Sequence, residues 1–357
     1  TEGYVCATVP QTGPAGIGFI SMLGWGNAVT ILPEMMYRQF GDEEALPRQY
    51  ESMKLFVEAE IRKMGKKNLW IGPSLGDWLA MGKGIAWQAM HNNPVSNAFI
   101  VHDLKVISET AERLGKREDA ARYRRQLAAT TDAYIKKFVS KNGIVAKDYQ
   151  SAYIMALKYV LPEGELRERV KKNFVANIRK NGLQTGFFAT EHLLPLLVEA
   201  GEQKLAYDVL LQENCPGWMY QVKCGATTTW ERWDALKPDG TVNEEKMAGS
   251  GENMVSFNHY AFGSVGEFYY QYILGIRPEK PGFAKLHFAP YPDERLGGVS
   301  GSYLSVAGKI ESAWRYEADG CHIRLATPVE AVVLLPDGRS ENVPAGTYEW
   351  TVKRPNL

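Results

Sequence analysis

The chain has 357 residues, carries 41 Lys+Arg against 41 Asp+Glu, and is 45% hydrophobic and 23% charged. That length fits about two domains, or one large domain with an appendage, and the composition is that of a globular protein with a sizeable core. The zero balance, with no Lys/Arg run longer than a pair, excludes nucleic-acid binding as the main task, and no apolar run approaches the roughly 18 residues of a membrane span.

Taken in chain order, residues 27–275 read mostly as helices. The spacing of apolar residues predicts one over 27–40, ended by Gly41-Asp42, with Asp42 placed to cap the next over 44–64. Another starts after Pro94 and ends at Gly115. The helix over 117–139 is charged on one face, as an outer helix would be. Further helices are predicted over 149–161, 163–180, 188–200 and 202–213, the last two parted by Gly201, and a final one over 258–274. Short turns between successive helices predict antiparallel α-hairpins. The odd number of helices, nine, predicts a toroid incomplete at one end.

After Pro278 the period changes from helical to alternating. Residues 285–288, 309–314 and 331–335 read as strands, with hairpin turns at 318–320 and 336–338. The expected organisation is therefore a partial α/α toroid over 1–280, followed by a small antiparallel β-sandwich over 281–357.

The four cysteines, Cys6, Cys215, Cys224 and Cys321, are scattered without a CxxC, which predicts free thiols. The six histidines show no paired ligand spacing, so neither a metal nor a cofactor is expected. The start, Thr1-Glu2-Gly3-Tyr4, has no basic or apolar leader region, so no signal peptide is expected in the chain as given. No compartment follows from the sequence. The 9 Trp and 18 Tyr suit a core, and equally suit sugar recognition, since a pyranose offers an apolar face to a ring.

The chemistry is expected between the helices, where small residues accompany aromatic and acidic ones. Such segments are Gly24-Trp25-Gly26-Asn27, Gly72–Trp78, Gly225–Asp234 and Ser256–Tyr260. Loops on one rim of a helical barrel would gather them around one cavity. Glu231, flanked by Trp230 and Trp233, has the setting of a general base; the competing reading is an ion pair with Arg232. His259 reads either as a donor to a sugar hydroxyl or as a core residue. Trp25 and Trp78 read as stacking platforms or core wedges, and Asp77 as a hydroxyl acceptor or a cap.

In these same segments the chain resembles the α-L-rhamnosidases of glycoside hydrolase family 78. The matching strings include Gly76-Asp77-Trp78-Leu79, Thr185-Gly186-Phe187, Ala226-Thr227-Thr228-Thr229-Trp230-Glu231-Arg232-Trp233 and Ser256-Phe257-Asn258-His259-Tyr260, in order along the whole chain. The resemblance implies an (α/α)6 barrel followed by a β-sandwich, and removal of terminal α-L-rhamnose by inversion. It places Glu231 at the general base, Trp25 and Trp78 on the walls of the rhamnose pocket, and His259 near the sugar. Asn27, Asp77 and Trp230 complete the expected substrate contacts, although many relatives have Asp where this chain has Asn27. The implied partner is a rhamnose-containing carbohydrate. The family's general acid lies in an Asp-Glu-Arg-Leu-Gly-Trp type motif upstream of the Gly-Trp-Gly loop, and residues 1–24 hold only Glu2. Asp293-Glu294-Arg295-Leu296-Gly297-Gly298 lies on the wrong side of the barrel segment and reads as a chance match. The expectation is a bacterial enzyme whose acid comes from a missing N-terminal part. The competing readings are a non-catalytic carbohydrate-binding remnant, and another (α/α)6 glycosidase or lyase with a different sugar.

Overall fold

The computed structural model describes Gly3, Val5 and residues 23–245 and 255–353; the features expected at Glu2 and Cys6 lie outside the described residues. About 49% of the described residues are helical and 17% are strand. It divides into two compact units, Thr1–Ile31 with Arg48–Ser264, and Leu32–Pro47 with Val265–Leu357.

The helices are α1 (Ala28–Phe40), α2 (Ala45–Met64), α3 (Ile85–His91), α4 (Asn93–Arg113) and α5 (Arg117–Phe138), then α6 (Gln150–Met155), α7 (Glu165–Asn181), α8 (Phe187–Glu199), α9 (Gln203–Leu210), α10 (Trp218–Lys223) and α11 (Val265–Phe268). Asp42 caps α2 as its sequence position predicts, its Oδ1 accepting the N–H groups of Glu44 (3.0 Å) and Ala45 (3.1 Å). Pro94 sits in the first turn of α4, where a missing N–H costs nothing. Two hairpins end their first helix in one way. Lys116 N–H reaches back to Ala111 C=O (2.8 Å) between α4 and α5, and Glu202 N–H to Leu197 C=O (2.9 Å) between α8 and α9. That six-to-one bond satisfies a carbonyl the helix leaves open.

Two helices were not legible in the periodicity. The seven residues of α3 and the six of α10 span under two turns, too few to display a 3.6-residue repeat. The single helix expected over 258–274 is instead a 3₁₀ turn (Ala261–Ser264), α11 and a π turn (Tyr269–Ile273). Gly263, Gly266 and a run of aromatic side chains give this stretch low intrinsic helix preference. A further π turn, Ala156–Val160, extends α6.

The core of the first unit includes Leu23, Tyr50, Met53, Val57, Ile100, Leu104, Ile107 and Tyr123, all at most 1% exposed. Each such side chain contributes about 1.5–3 kcal/mol relative to an exposed position. α5 joins it only through a sparse inner stripe, burying Ala120, Tyr123, Thr130 and Tyr134.

In the second unit, β1 (Ile276–Lys280), β2 (Lys285–Phe288), β6 (Ala331–Leu334) and β7 (Ser340–Val343) form one sheet, in the order β1-β2-β6-β7. β3 (Gly298–Ser305), β4 (Gly308–Glu317), β5 (Gly320–Thr327) and β8 (Gly346–Val352) form the other, in the order β3-β4-β5-β8. The second sheet is antiparallel throughout. The first contains one parallel pair, β2 with β6 in the register Leu286↔Ala331, which alternation alone does not reveal. Trp314 on β4 is buried, and its indole N–H donates to Ile273 C=O (2.7 Å). Phe288 of β2 and Trp350 of β8 bring their rings within 6.2 Å across the two sheets.

Candidate active site

The Gly24–Asn27 loop is held from below. Asn27 is fully buried; its Oδ1 accepts Gly24 N–H (2.5 Å) and its Nδ2 donates to Asp103, which also accepts the Thr30 hydroxyl (2.5 Å). Glu60, equally buried, lies beside Asp103, and burial together with that neighbouring charge pushes its carboxyl well above the usual range. Burial also raises Asp103, against the pull of His102 and Thr30. An amide at position 27 suits this group because it can accept from Gly24 while donating to a carboxylate. Asp in its place would add a third buried acid. Trp25 rises from the loop against Phe188 (5.0 Å between ring centroids) and Phe187 (5.8 Å). Its indole N–H is buried and meets no acceptor among the described residues.

Asp77 is a clamp. Its carboxylate accepts the backbone N–H groups of Gly186 (2.8 Å), Phe188 (2.7 Å) and Ala189 (3.0 Å), the open donors at the start of α8. Full burial raises its proton affinity, and the three N–H groups oppose the shift. Sequence reading offered a cap for the turn after Asp77, whereas the residues it caps lie more than a hundred positions away. Trp78, half-buried, accepts Phe187 N–H at its carbonyl (3.0 Å). Only glycine fits at 186, since a Cβ there would come within 2.2 Å of that carbonyl oxygen.

The third wall is two stretches of chain lying side by side. Glu231 N–H donates to Ser256 C=O (2.9 Å) and His259 N–H to Thr229 C=O (2.9 Å), and the Thr229 hydroxyl returns to His259 C=O (2.6 Å). Trp230 points into a core cluster with Tyr220 and Ala235 and is 3% exposed. Trp233 stacks on Phe262 at 3.8 Å and donates to Thr185 C=O (2.9 Å). Glu231, between them, is half-buried. The ion pair weighed against its catalytic reading does not form, because the buried Arg232 guanidinium is taken by Asp234 (3.0 Å) and Glu245 (2.6 Å). His259 Nδ1 accepts Ala261 N–H (3.2 Å). In the neutral ring this bond assigns the proton to Nε2, which becomes the outward donor.

Phe187 is the residue these walls share. Its ring meets His259 (4.8 Å) and Trp25 (5.8 Å), and its N–H meets Trp78. Of the seven residues singled out from sequence, Trp25, Trp78, Glu231 and His259 are partly open. Asn27, Asp77 and Trp230, expected as substrate contacts, are buried, and the fold uses their polar atoms or rings for its own support. Phe187 was legible only as the end of the Thr-Gly-Phe string, Phe188 only as the start of the helix predicted over 188–200, and Tyr260, 83% exposed and stacked on His259, only as the end of Ser-Phe-Asn-His-Tyr.

Elsewhere, Cys215, Cys224 and Cys321 are free thiols. Among the described residues, the acid and histidine side chains with metal-ligand spacing are Glu317, Asp319 and His322 in the second unit, where His322 already pairs with Asp319 (2.8 Å). The Asp293–Gly298 string forms a local turn in which Asp293 accepts Arg295 N–H (3.0 Å) and pairs with its guanidinium.

Comparison with known proteins bears on this arrangement. The family model for the bacterial alpha-L-rhamnosidase 6 hairpin glycosidase domain matches residues 1–273, and that for the bacterial alpha-L-rhamnosidase C-terminal domain matches 275–348. An alpha-L-rhamnosidase of Alteromonas sp. (strain LOR) is 34% identical over 314 residues, covering 85% of this chain and 33% of its own. One of Streptomyces avermitilis is 31% identical over 350 residues, covering 96% and 32%. The crystal structure of the Streptomyces avermitilis alpha-L-rhamnosidase complexed with L-rhamnose superposes with a TM-score of 0.88 at 28% identity, over 99% of this chain and 35% of that one. The native Aspergillus terreus enzyme gives 0.83 at 30%, over 92% and 39%. The chain thus spans about a third of the length of the curated relatives it matches. Its fold class is a six-hairpin helical domain followed by a C-terminal β-sandwich.

Proposed function

The chain belongs to the bacterial α-L-rhamnosidase six-hairpin glycosidase family, and on that premise we propose that it carries the base side of an inverting hydrolysis of terminal α-L-rhamnosides. Glu231 takes the proton from the attacking water. Trp25 and Trp78 flank the sugar, and His259 Nε2–H donates to one of its hydroxyls. Phe187 holds Trp25 and His259 in mutual register. The helical first unit is the catalytic part; β1 (Ile276–Lys280) already belongs to the β part, a few residues before the boundary expected at 280/281.

The observation that carries this reading is the disposition of Glu231 and its neighbours. The carboxylate is half-buried and has no hydrogen bond or ion pair among the described residues, while Arg232 next to it turns its Nε to Asp234 and its Nη2 to Glu245. A carboxylate so placed is available to a water molecule. Inversion needs a second carboxyl, the acid, roughly 6.5–9.5 Å from the base. We assign the acid to a part of the protein outside these 357 residues, in keeping with the greater length of the relatives. Without it, this chain alone should turn over little substrate, least impaired with a dinitrophenyl rhamnoside, whose leaving group needs no proton.

The test is proton NMR of a fresh reaction of the full-length protein with an aryl α-L-rhamnoside. β-L-Rhamnose appearing first, and the α anomer only by later mutarotation, is the expected result. The α anomer first would overturn inversion. Rhamnose bound without any hydrolysis would favour a carbohydrate-binding protein instead.

A further inference from the structure

We propose that a groove in the first unit binds an acidic saccharide, bearing carboxylate or sulfate groups, on the leaving-group side of the candidate site; the placement rests on the rhamnosidase reading. The groove encloses about 840 Å³, within the range of pockets that hold a small oligosaccharide. Four lysines line it, Lys83, Lys136, Lys137 and Lys147, against the single carboxylate of Asp148. Asp148 is already engaged, accepting the Tyr153 hydroxyl (2.9 Å). In a chain with no net charge and no basic run longer than a pair, this concentration arises from folding alone. Three separate segments supply it, so the lack of any basic run longer than a pair does not preclude a basic groove.

The rest of the lining suits a sugar. Trp87 is held flat on His91 (4.4 Å, 4° between planes) and edge-on to Tyr149 (5.2 Å), and Lys83 Nζ lies 4.7 Å from the centre of its ring. A lysine on a flexible stem can leave a ring face for a carboxylate, and the ring so uncovered is a stacking surface. Ile71 and Met90 add exposed apolar walls. Lys147 stands on a backbone in the left-handed region over three successive residues, Ala146, Lys147 and Asp148 (φ 44°, 59° and 72°). Bonds from Ala146 N–H to Phe138 C=O (2.8 Å) and from Asn177 Nδ2 to Asp148 C=O (3.0 Å) fix it there. Strain of this kind persists only where the surroundings enforce it.

Continuity of chain ties the groove to the candidate site. Ile71 belongs to the segment that runs on to Asp77 and Trp78. Gln184, on the groove wall, precedes Gly186 and Phe187 by two and three residues; its N–H is held by Gln150 (2.8 Å) and its carbonyl by Met81 N–H (3.2 Å). A glycan whose terminal rhamnose sits between Trp25 and Trp78 would carry its next residues along this wall.

The test is calorimetric titration of the chain with three rhamnose-free trisaccharides of one backbone: a tri-uronate, its carboxyl-reduced neutral form, and that neutral form sulfated. At least one anionic ligand should bind about tenfold or more tightly than the neutral one. Raising the salt from about 0.05 to 0.5 M should erase most of the difference. Lys136→Glu with Lys147→Glu, both exposed side chains, should abolish it with the melting temperature unchanged. Binding of the uronate alone or of the sulfated form alone names the acid group. Equal affinity for all three, no binding of either anion, or unaltered affinity in the double variant would overturn the proposal. Hydrolysis of an aryl rhamnoside by the full-length protein, measured in parallel, tests the rhamnosidase reading separately, because none of the three ligands contains rhamnose.

Discussion

The two units place their polar side chains in opposite ways. The buried Asp, Glu, His and Arg side chains among the described residues, Glu60, Asp77, Asp103, His192 and Arg232, all belong to the first unit. The second unit buries Ser305, Ser312 and Thr327, and keeps its charged pairs, such as Lys309–Glu311 and His322–Asp319, at the surface. Taking a charge out of water costs several kcal/mol unless hydrogen bonds replace the solvent. The first unit meets that cost where a loop must be held: Asn27 and Asp103 under Trp25, Asp77 under Phe187, Arg232 beside Glu231. The sheets of the second unit satisfy their backbone by regular ladders and need no such braces. Buried polar groups therefore mark where geometry is being fixed, as at Asp77, whose oxygens accept three backbone N–H groups.

The largest expected break in this contrast is Asp77→Ala. It leaves the N–H groups of Gly186, Phe188 and Ala189 buried without an acceptor, so stability in urea titrations should fall by roughly 3 kcal/mol. Asp77→Asn keeps one acceptor oxygen and should lose about half of that.

Glu60→Gln should act the other way, and with a pH signature. Because the folded state raises the Glu60 proton affinity, the stability tied to its proton is complete below the ordinary carboxylate pKa of about 4.3 and is lost as pH rises through the raised folded value. The variant removes that loss. At about pH 8 it should be more stable than the parent by roughly 1–2 kcal/mol, and the gain should shrink toward pH 5. A gain independent of pH would show that Glu60 is not held protonated.

Trp78→Ala should raise KM about tenfold and leave kcat within a few-fold, because stacking holds ground and transition states alike. A fall in kcat alone would place Trp78 in the chemistry. The smallest effect is expected at the surface of the second unit, where Asp319→Asn should leave the melting curve unchanged. A clear destabilisation there would dissolve the contrast between the units.

How much of this could be read from the sequence follows the same physics. Helix ends were legible where one or two local residues decide them, as at Asp42, Gly115 and Gly201. α3 and α10 were not, because they are too short to repeat. The β2–β6 parallel pair was not, because its partners are some 45 positions apart. At the site, residue type pointed to Glu231 and to the segments that the fold lays side by side around it. It could not show that Asn27, Asp77 and Trp230 are buried and engaged by the fold itself, since a carboxylate facing a sugar and one facing three N–H groups look alike until the fold supplies Gly186 and Ala189. It passed over Phe187 as an individual residue, although that ring links Trp25 to His259.

The central claim is that Glu231 accepts the proton of the attacking water, and Glu231→Gln in the full-length protein tests it most directly. Gln keeps the shape and can still hydrogen-bond, but it cannot take the proton. On a natural rhamnoside the account predicts a kcat lower by about 10²-fold or more, with KM within a few-fold of the parent. Near-parental kcat in a folded Glu231→Gln variant would contradict it and leave Glu231 a structural residue.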